Sequence, residues 1–337
     1  MTDWDNLRAW LHSVAVVTFD LELGQVIERV YPVSDDHDDQ LSEQDKTNIC
    51  YLAFPDSNSG IMGDVQFHFR IRRSRGCFTK NNLSDQHSLY NRRCLPTLQI
   101  DSNFLFGFAY FRQVKDASIR RGYYQKSVIL LTYLPLITFY TNLSSIVAKK
   151  YFDSGEVSIE AACHDVNRWP GPSPGSHLTL PVLGSLLQLH LPPLNDQTSI
   201  QETVSWSGES ASVTVSTELF SVMSPLLDHL HTLWELSLTA EPLVVQAASP
   251  AQCSATVQAL TAIIHPLVYL ADYRPFYTIH DADFKELTSS NSSALPSIIL
   301  GVTNPFFNKV IIAFIKSPLI HHFFSGFATL AKFYSLE

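Results

Sequence analysis

The chain has 337 residues, of which 45% are hydrophobic and only 16% are charged, and its formal net charge is −9. The apolar excess excludes a mainly disordered protein, and the acidic balance argues against nucleic acid as a partner and against a polybasic membrane patch. At roughly 150 residues per domain, the length predicts about two domains.

The cysteines and the N-terminus indicate a reducing compartment. The five cysteines are Cys50, Cys77, Cys94, Cys163 and Cys253. Their odd number, wide spacing and lack of a C-x-x-C pair disfavour a disulfide framework and a structural zinc site. The short apolar run Val14–Val17 lies between Asp5 and Asp20, which is unlike a secretory signal. We therefore expect a cytoplasmic protein that holds no metal and no cofactor.

The N-terminal part predicts an antiparallel sheet followed by helices. Apolar or alternating runs predict strands at Val14–Phe19, Gln25–Tyr31, Val65–Ile71, Phe104–Phe111 and Ser127–Leu134. Helix signals lie at Ser42–Cys50, Leu136–Val147 and Glu156–Asp165. Residues 72–99 are polar with scattered basic side chains, which indicates a long surface loop. Strands with helices after them favour an α+β or mixed α/β fold.

The clearest boundary is the segment Arg168–Gly175, which contains three prolines and two glycines. Such a segment cannot continue a helix or a strand, so it reads as a stiff linker between two lobes. We predict a first lobe over residues 1–167, a linker over 168–176 and a second lobe over 177–309.

The second half predicts a parallel sheet covered by helices, because strand and helix signals alternate. Strand candidates are Leu186–Leu191, Leu243–Ala248, Leu267–Leu270, Phe276–Ile279 and Ile298–Val302. Helix candidates are Leu219–Trp234, with a kink at Pro225, then Pro250–Ile264 with Ser249 as its N-cap, and Asp281–Leu287. Residues 192–212 read as a polar loop.

The tail over residues 310–337 is apolar. A helix that spans a membrane needs about 20 largely uninterrupted apolar residues, and Lys316, Pro318, His321 and His322 interrupt this run. We expect a helix that packs on the protein, or a poorly folded end, rather than a spanning segment.

Residues that carry chemistry form no known catalytic motif. The sequence has no G-x-G-x-x-G, Walker A, H-E-x-x-H or G-x-S-x-G pattern. His229 and His231 are two apart and would face different sides of a helix, so they cannot chelate one ion together. Asp281 and Asp283 are better explained as caps of a short helix than as acid–base catalysts. The sequence therefore predicts no catalytic residue.

Two polar segments are candidate contact surfaces. Pro55–Gly60 is a turn-rich loop after an apolar stretch, and Arg112–Lys126 concentrates five positive charges between two strands. In an acidic chain such a local reversal of sign suits an acidic partner, although a solvated hairpin loop is the commoner explanation. The candidate residues are Asp56, Ser57, Asn58, Arg112, Lys115, Arg120, Arg121 and Tyr123.

Several long segments resemble the DENN-domain-containing protein 6 family. They are Phe19–Gln25, Lys46–Gly60, Phe111–Ser127, Arg168–Gly175, His231–Glu235, Arg274–Asp281 and Leu300–Phe307. The resemblance runs from about Trp10 to Lys309, with dissimilar loops at 72–99 and 192–212. Beyond Lys309 the sequence departs from the family pattern, so we expect a chain that lacks the family's C-terminal helical part.

The resemblance implies a mixed α/β fold with a longin-like N-terminal lobe and a central three-layer α/β DENN lobe. It also implies a guanine nucleotide exchange factor for Rab-family small GTPases, at recycling endosomes, with peripheral membrane association. The GTPase would dock across both lobes by its switch regions, and the candidate residues above would contact it. The alternatives are a binding module without exchange activity and, on architecture alone, an α/β enzyme.

Overall fold

The computed structural model describes residues 4–32, 40–56, 62–73, 84–120, 122–196, 199, 201–207, 215–285, 296–307, 321–324 and 328–332. The chain divides into two compact units. Unit 1 comprises Met1–Ala53, Met62–Gln66 and Ile71–Thr217, and unit 2 comprises Phe54–Ile61, Phe67–Arg70 and Glu218–Glu337. Both units combine sheets with helices, so the predicted mixed α/β class is confirmed.

Unit 1 is built on a five-stranded sheet. Its strands are β1 (Ser13–Asp20), β2 (Gly24–Tyr31), β3 (Gly63–Arg72), β4 (Phe104–Lys115) and β5 (Tyr123–Thr132). Their order is β2-β1-β5-β4-β3, and β1 runs antiparallel to both β2 and β5. β4 and β5 form a long antiparallel hairpin. The predicted antiparallel sheet is confirmed. Each strand is longer than predicted, although β5 ends at Thr132, two residues before its predicted end.

Five helices accompany this sheet: α1 (Asp5–Trp10), α2 (Glu43–Leu52), α3 (Asp85–Arg93), α4 (Ile137–Ser154) and α5 (Val157–Val166). Ser42 caps α2 as predicted, since its hydroxyl accepts a hydrogen bond from the Asp45 amide at 3.0 Å. The prediction of a loop throughout 72–99 is wrong for α3. Ser84 caps that helix and Tyr90 anchors it in the core, although its sequence is mostly polar.

A second, three-stranded sheet also belongs to unit 1. It is a meander of β6 (His177–Val182), β7 (Ser185–His190) and β8 (Thr203–Ser207). β8 lies inside the predicted polar loop 192–212, so that prediction is wrong for residues 203–207. The Pro-rich segment 168–176 lies within unit 1, and its role as a boundary between functional lobes stays a prediction.

Unit 2 is built on a mixed sheet. Its strands are β9 (Leu243–Ala247), β10 (Asp272–Arg274), β11 (Ile298–Val302), β12 (His321–Phe324) and β13 (Ala328–Lys332), in the order β10-β11-β9-β13-β12. β10, β11 and β9 are parallel, as predicted for this half. β13 pairs antiparallel with β9, so the helix expected in the tail is wrong for these residues.

The helices of unit 2 are α6 (Val215–Met223), α7 (Leu230–Leu238) and α8 (Pro250–Ala262). A 3₁₀ turn over Ser224–His229 separates α6 from α7 at Pro225, which confirms the predicted kink. Ser249 caps α8 as predicted, because its hydroxyl accepts from the Gln252 amide at 3.3 Å. Leucines of α7 and α8 pack with β9 and β11 in one buried cluster.

One strand of unit 2 lies where the sequence pattern did not place it. Strands were expected at Leu267–Leu270 and Phe276–Ile279, but β10 occupies Asp272–Arg274 between them. β10 contains a buried arginine, which hydrophobicity patterns do not associate with a strand interior. Ion pairs make that burial possible, since the Arg274 guanidinium lies 3.1 Å from Asp272 and 2.8 Å from Asp283.

Candidate functional site

The charged segment between the two predicted strands is a hairpin rather than a free loop. β4 and β5 remain paired as far as Lys115 and Tyr123. There the Asp116 carboxylate accepts from the Ser118 amide at 2.9 Å, and the Asp116 amide donates to the Gly122 carbonyl at 3.0 Å. Gly122 has a φ of +78°, which favours glycine. Local hydrogen bonds therefore fix the tip.

Arg112 is engaged inside unit 1. Its guanidinium binds Asp64 through two hydrogen bonds of 2.7 and 2.6 Å and lies 4.3 Å above the ring of Phe152. The Tyr110 hydroxyl donates to the same carboxylate at 2.7 Å. The Arg112 hydrogen bonds hold the pKa of Asp64 below its usual value, while burial raises the pKa of Tyr110 to about 12. This arrangement joins β3 to the hairpin.

Lys126 is also engaged internally. Its ammonium lies 2.7 Å from the Glu28 carboxylate on β2 and donates to the Tyr151 hydroxyl at 3.3 Å. Burial opposes the charged form of Lys126, but these two partners outweigh it and its pKa is raised. Two of the five positive charges in this segment are therefore matched within the unit.

Lys115, Arg120 and Tyr123 are the predicted contact residues that the hairpin exposes to solvent. Among the described residues, no ion pair engages Lys115 or Arg120. Arg121, Ser57 and Asn58 lie outside the described residues. Asp56 is half-buried and belongs to unit 2. The hairpin therefore carries Arg112, Lys115, Arg120 and Tyr123, and of these four Arg112 is bound to Asp64.

Two leucines that sequence reasoning overlooked lie at the same end of the sheet. Leu21 and Leu23 form the turn between β1 and β2, and Leu23 is 77% exposed. The Asp20 carboxylate accepts from the amides of Glu22 and Leu23 at 2.8 and 2.9 Å, which turns both leucines outward.

The pairing of Thr18 with Lys126 brings this turn to the same end as the hairpin tip. We call Leu21, Leu23, Lys115, Arg120 and Tyr123 the hairpin end. The sequence predicts a turn around Gly24 between β1 and β2, and the structure confirms it, but the sequence pattern did not indicate that the turn exposes both leucines.

The hairpin end combines exposed apolar side chains with cations, which suits recognition of a protein surface rather than covalent chemistry. Within the described ranges, no group of three or more His, Cys, Asp or Glu side chains could hold a metal ion. The four described cysteines are buried free thiols. In the same part of the chain, no helix is both long and apolar enough to cross a bilayer.

Comparison with known proteins gives a consistent set of relatives. The family described as transport protein Avl9 matches residues 11–164. The chain is 45% identical to Protein DENND6A of Gallus gallus over 320 residues, covering 91% of this chain and 53% of that protein. It is 44% identical to Protein DENND6B of Homo sapiens over 315 residues, covering 91% and 53% respectively.

A more distant relative is the Protein DENND6 homolog of Dictyostelium discoideum, at 30% identity over 369 residues, with 90% of this chain and 48% of that protein covered. The chain therefore spans about half the length of the relatives that it matches.

Proposed function

Because this chain belongs to the DENND6 family, to which it is similar over 91% of its length, we propose that it is a guanine nucleotide exchange factor for a Rab-type small GTPase. The sequence identity of 44–45% to DENND6A and DENND6B is the observation that carries this proposal. The hairpin end supports it, since an exchange factor needs an exposed surface for another protein and no reactive side chain of its own.

The mechanism follows from differential binding. A small GTPase holds its nucleotide with its own phosphate loop, Mg²⁺ and switch segments. Picomolar retention corresponds to about 16 kcal/mol, so spontaneous release is very slow. A protein that binds the opened switches better than the closed ones shifts that equilibrium by the difference in affinity. In this proposal Leu21 and Leu23 contact apolar switch residues, and Lys115 and Arg120 attract acidic ones.

The finer features of the family belong to the same proposal. The proposed structure has a longin-like lobe over residues 1–167 and a central three-layer lobe over 177–309. The proposed location is the cytoplasm and recycling endosomes, with peripheral contact to the endosomal membrane. The antiparallel sheet with flanking helices in unit 1 and the parallel strands β10, β11 and β9 in unit 2 are compatible with these two lobes.

A nucleotide-release assay tests the proposal. Rab GTPases loaded with a fluorescent GDP analogue would be mixed with this chain and with excess unlabelled GTP. We expect at least one GTPase to release its nucleotide about tenfold faster or more, since a factor of ten needs only about 1.4 kcal/mol of differential binding. Release that stays at the intrinsic rate for every GTPase would contradict the proposal.

Site variants locate the contact. Lys115→Glu with Arg120→Glu should slow the accelerated release, while Lys150→Glu with Lys285→Glu, an equal change at two other exposed lysines, should not. If a GTPase binds the chain without faster release, the activity is that of a binding module and not of an exchange factor.

A further inference from the structure

Helix α7 has an apolar stripe on its solvent side in addition to its buried face. Leu233 and Leu236 face the core of unit 2. Leu230, Trp234 and Leu238 follow one another at intervals of four residues, and each is between 37% and 42% exposed. That spacing places the three side chains in one row along the helix. A single exposed leucine is common on protein surfaces, whereas a row of large exposed apolar side chains indicates an interaction site.

The stripe continues beyond α7. Leu227, in the 3₁₀ turn just before the helix, is 45% exposed, and Phe220 on α6 is also exposed. At 1.5 Å per residue, α7 alone gives a row about 12 Å long, or roughly two turns. We call Leu227, Leu230, Trp234 and Leu238 the α7 stripe.

An acidic rim borders the stripe. Glu235 follows Trp234 directly on the helix, and Asp228 lies beside Leu227, with both side chains exposed. No ion pair within the described part of the chain engages either carboxylate. The sequence from 169 to 273 contains no lysine and no arginine.

We propose that the α7 stripe docks a basic amphipathic helix of a partner protein. Such a helix would place its own leucines between Leu230, Trp234 and Leu238 and its lysines or arginines against Asp228 and Glu235. Helix pairs with an apolar seam and charged flanks are stabilised in this way. The exchange activity proposed above uses the hairpin end and not the α7 stripe, so each proposal can be tested independently of the other.

Charge argues against two other occupants. An anionic bilayer would meet Asp228 and Glu235 at its own negative surface. A second copy of this chain would bring two acidic rims together along the seam. A small interface of this kind gives a weak complex, so we expect micromolar affinity.

Trp234 provides the readout, because it is the most exposed tryptophan among the described residues. The full chain would be titrated with two tryptophan-free synthetic helices of about 20 residues, which share one leucine face and carry either lysine or glutamate on its flanks. The lysine peptide should shift Trp234 fluorescence to shorter wavelength with micromolar affinity, and the glutamate peptide should bind at least about tenfold more weakly.

Exchanging the rim charges gives the decisive comparison. Asp228→Lys with Glu235→Lys should reverse the preference between the two peptides. Glu22→Lys with Asp153→Lys changes the net charge equally at exposed sites of unit 1 and should leave it unchanged. Far-ultraviolet circular dichroism would verify that both variants fold.

Three results with the peptides and vesicles would overturn the proposal. They are equal binding of the two peptides, a preference that survives the rim exchange, and a Trp234 shift produced by anionic vesicles but not by the lysine peptide. A rise in sedimentation coefficient with protein concentration that Leu230→Ala and Leu238→Ala abolish would instead assign the stripe to self-association, and would also overturn it.

Discussion

At the scale of single residues, Arg112 shows how a charged side chain in a predicted contact segment can have a structural task. Its two hydrogen bonds to Asp64 and its place above Phe152 hold β3 against the hairpin. Arg112→Ala should lower the free energy of unfolding by about 1–2 kcal/mol, because Asp64 and Tyr110 lose a charged partner in a partly buried site. Urea denaturation measures this loss.

Lys115→Ala is the matched control for that change. Lys115 lies on the same strand and is exposed, so its removal should alter the free energy of unfolding by no more than about 0.5 kcal/mol. Equal effects of the two substitutions would show that the pair with Asp64 contributes nothing.

Asp281 gives a residue-scale prediction about pH. Burial raises its pKa to about 6, against the attraction of Arg274. In the unfolded chain the pKa is about 3.9, so the native state holds this proton more tightly and stability falls as pH rises from about 4 to about 6. Asp281→Asn removes that penalty. Its stabilising effect should grow by about 2 kcal/mol between about pH 4.5 and about pH 7.5 in urea denaturation.

Asp272→Asn separates this titration from loss of an ion pair. Asp272 lies 2.9 Å from Arg70 and 3.1 Å from Arg274, both of which are buried. Its neutralisation should therefore destabilise the protein at both pH values. A stabilising effect of Asp281→Asn that is independent of pH would contradict the assignment of the titration to Asp281.

At the scale of helices and strands, the N-terminus of α4 is capped from a distant segment. Glu202, just before β8, is buried, and its carboxylate accepts from the amides of Thr138 and Phe139 at 2.9 and 3.2 Å. A negative charge at a helix N-terminus is favourable, and unpaired buried amides are costly. Glu202→Ala should lower the free energy of unfolding by about 2–3 kcal/mol, measured by urea denaturation. Glu202→Gln keeps the acceptor oxygen and should lower it by less than half as much.

β11 tolerates no side chain at Gly301. A Cβ atom there would lie 2.1 Å from the carbonyl oxygen of Pro275, which is backbone and cannot move aside. Gly301→Ala should therefore lower the free energy of unfolding by about 3 kcal/mol or more, measured by chemical denaturation. At Gly171 the nearest atom to such a Cβ is a side-chain oxygen at 3.5 Å, an ordinary contact. Gly171→Ala is the control, and a similar loss there would refute the steric explanation.

The sequence predicted those elements whose signals are local. Ser249 with Pro250 marked the start of α8, and Pro225 marked the break before α7. Two short elements were missed because their stability comes from residues far along the chain. β10 depends on the ion pair between Asp272 and Arg70, which are 202 positions apart, and β8 on its pairing with β7.

Some residues of the candidate site could likewise be predicted from local sequence signals, and others could not. Lys115, Arg120 and Tyr123 could be found because charged and aromatic residues between two strands tend to be exposed. The pairing of Arg112 with Asp64 could not, since 48 positions separate the two residues in the sequence. Leu21 and Leu23 were missed because apolar residues beside a strand suggest burial, whereas the Asp20 turn directs them outward.

At the scale of the whole molecule, charge is distributed unevenly. The net charge is −9, and residues 169–273 carry no basic side chain. Lys115 and Arg120 at the hairpin end are exposed cations in this acidic background. An uneven field of this kind acts mainly on how fast a charged partner arrives, because electrostatic steering changes association rates more than dissociation rates.

This distribution predicts a salt-dependent association with the GTPase. At low ionic strength, Lys115→Glu with Arg120→Glu should reduce the association rate constant about tenfold and leave the dissociation rate constant nearly unchanged. The difference should shrink as salt shortens the Debye length to about 3 Å at 1 M. Stopped-flow mixing with a fluorescently labelled GTPase measures both rate constants. The control pair Lys150→Glu with Lys285→Glu should have the same rate constants as the unsubstituted chain at every salt concentration. If salt does not diminish the reduction of the association rate constant, the hairpin end acts by direct contact and not by steering.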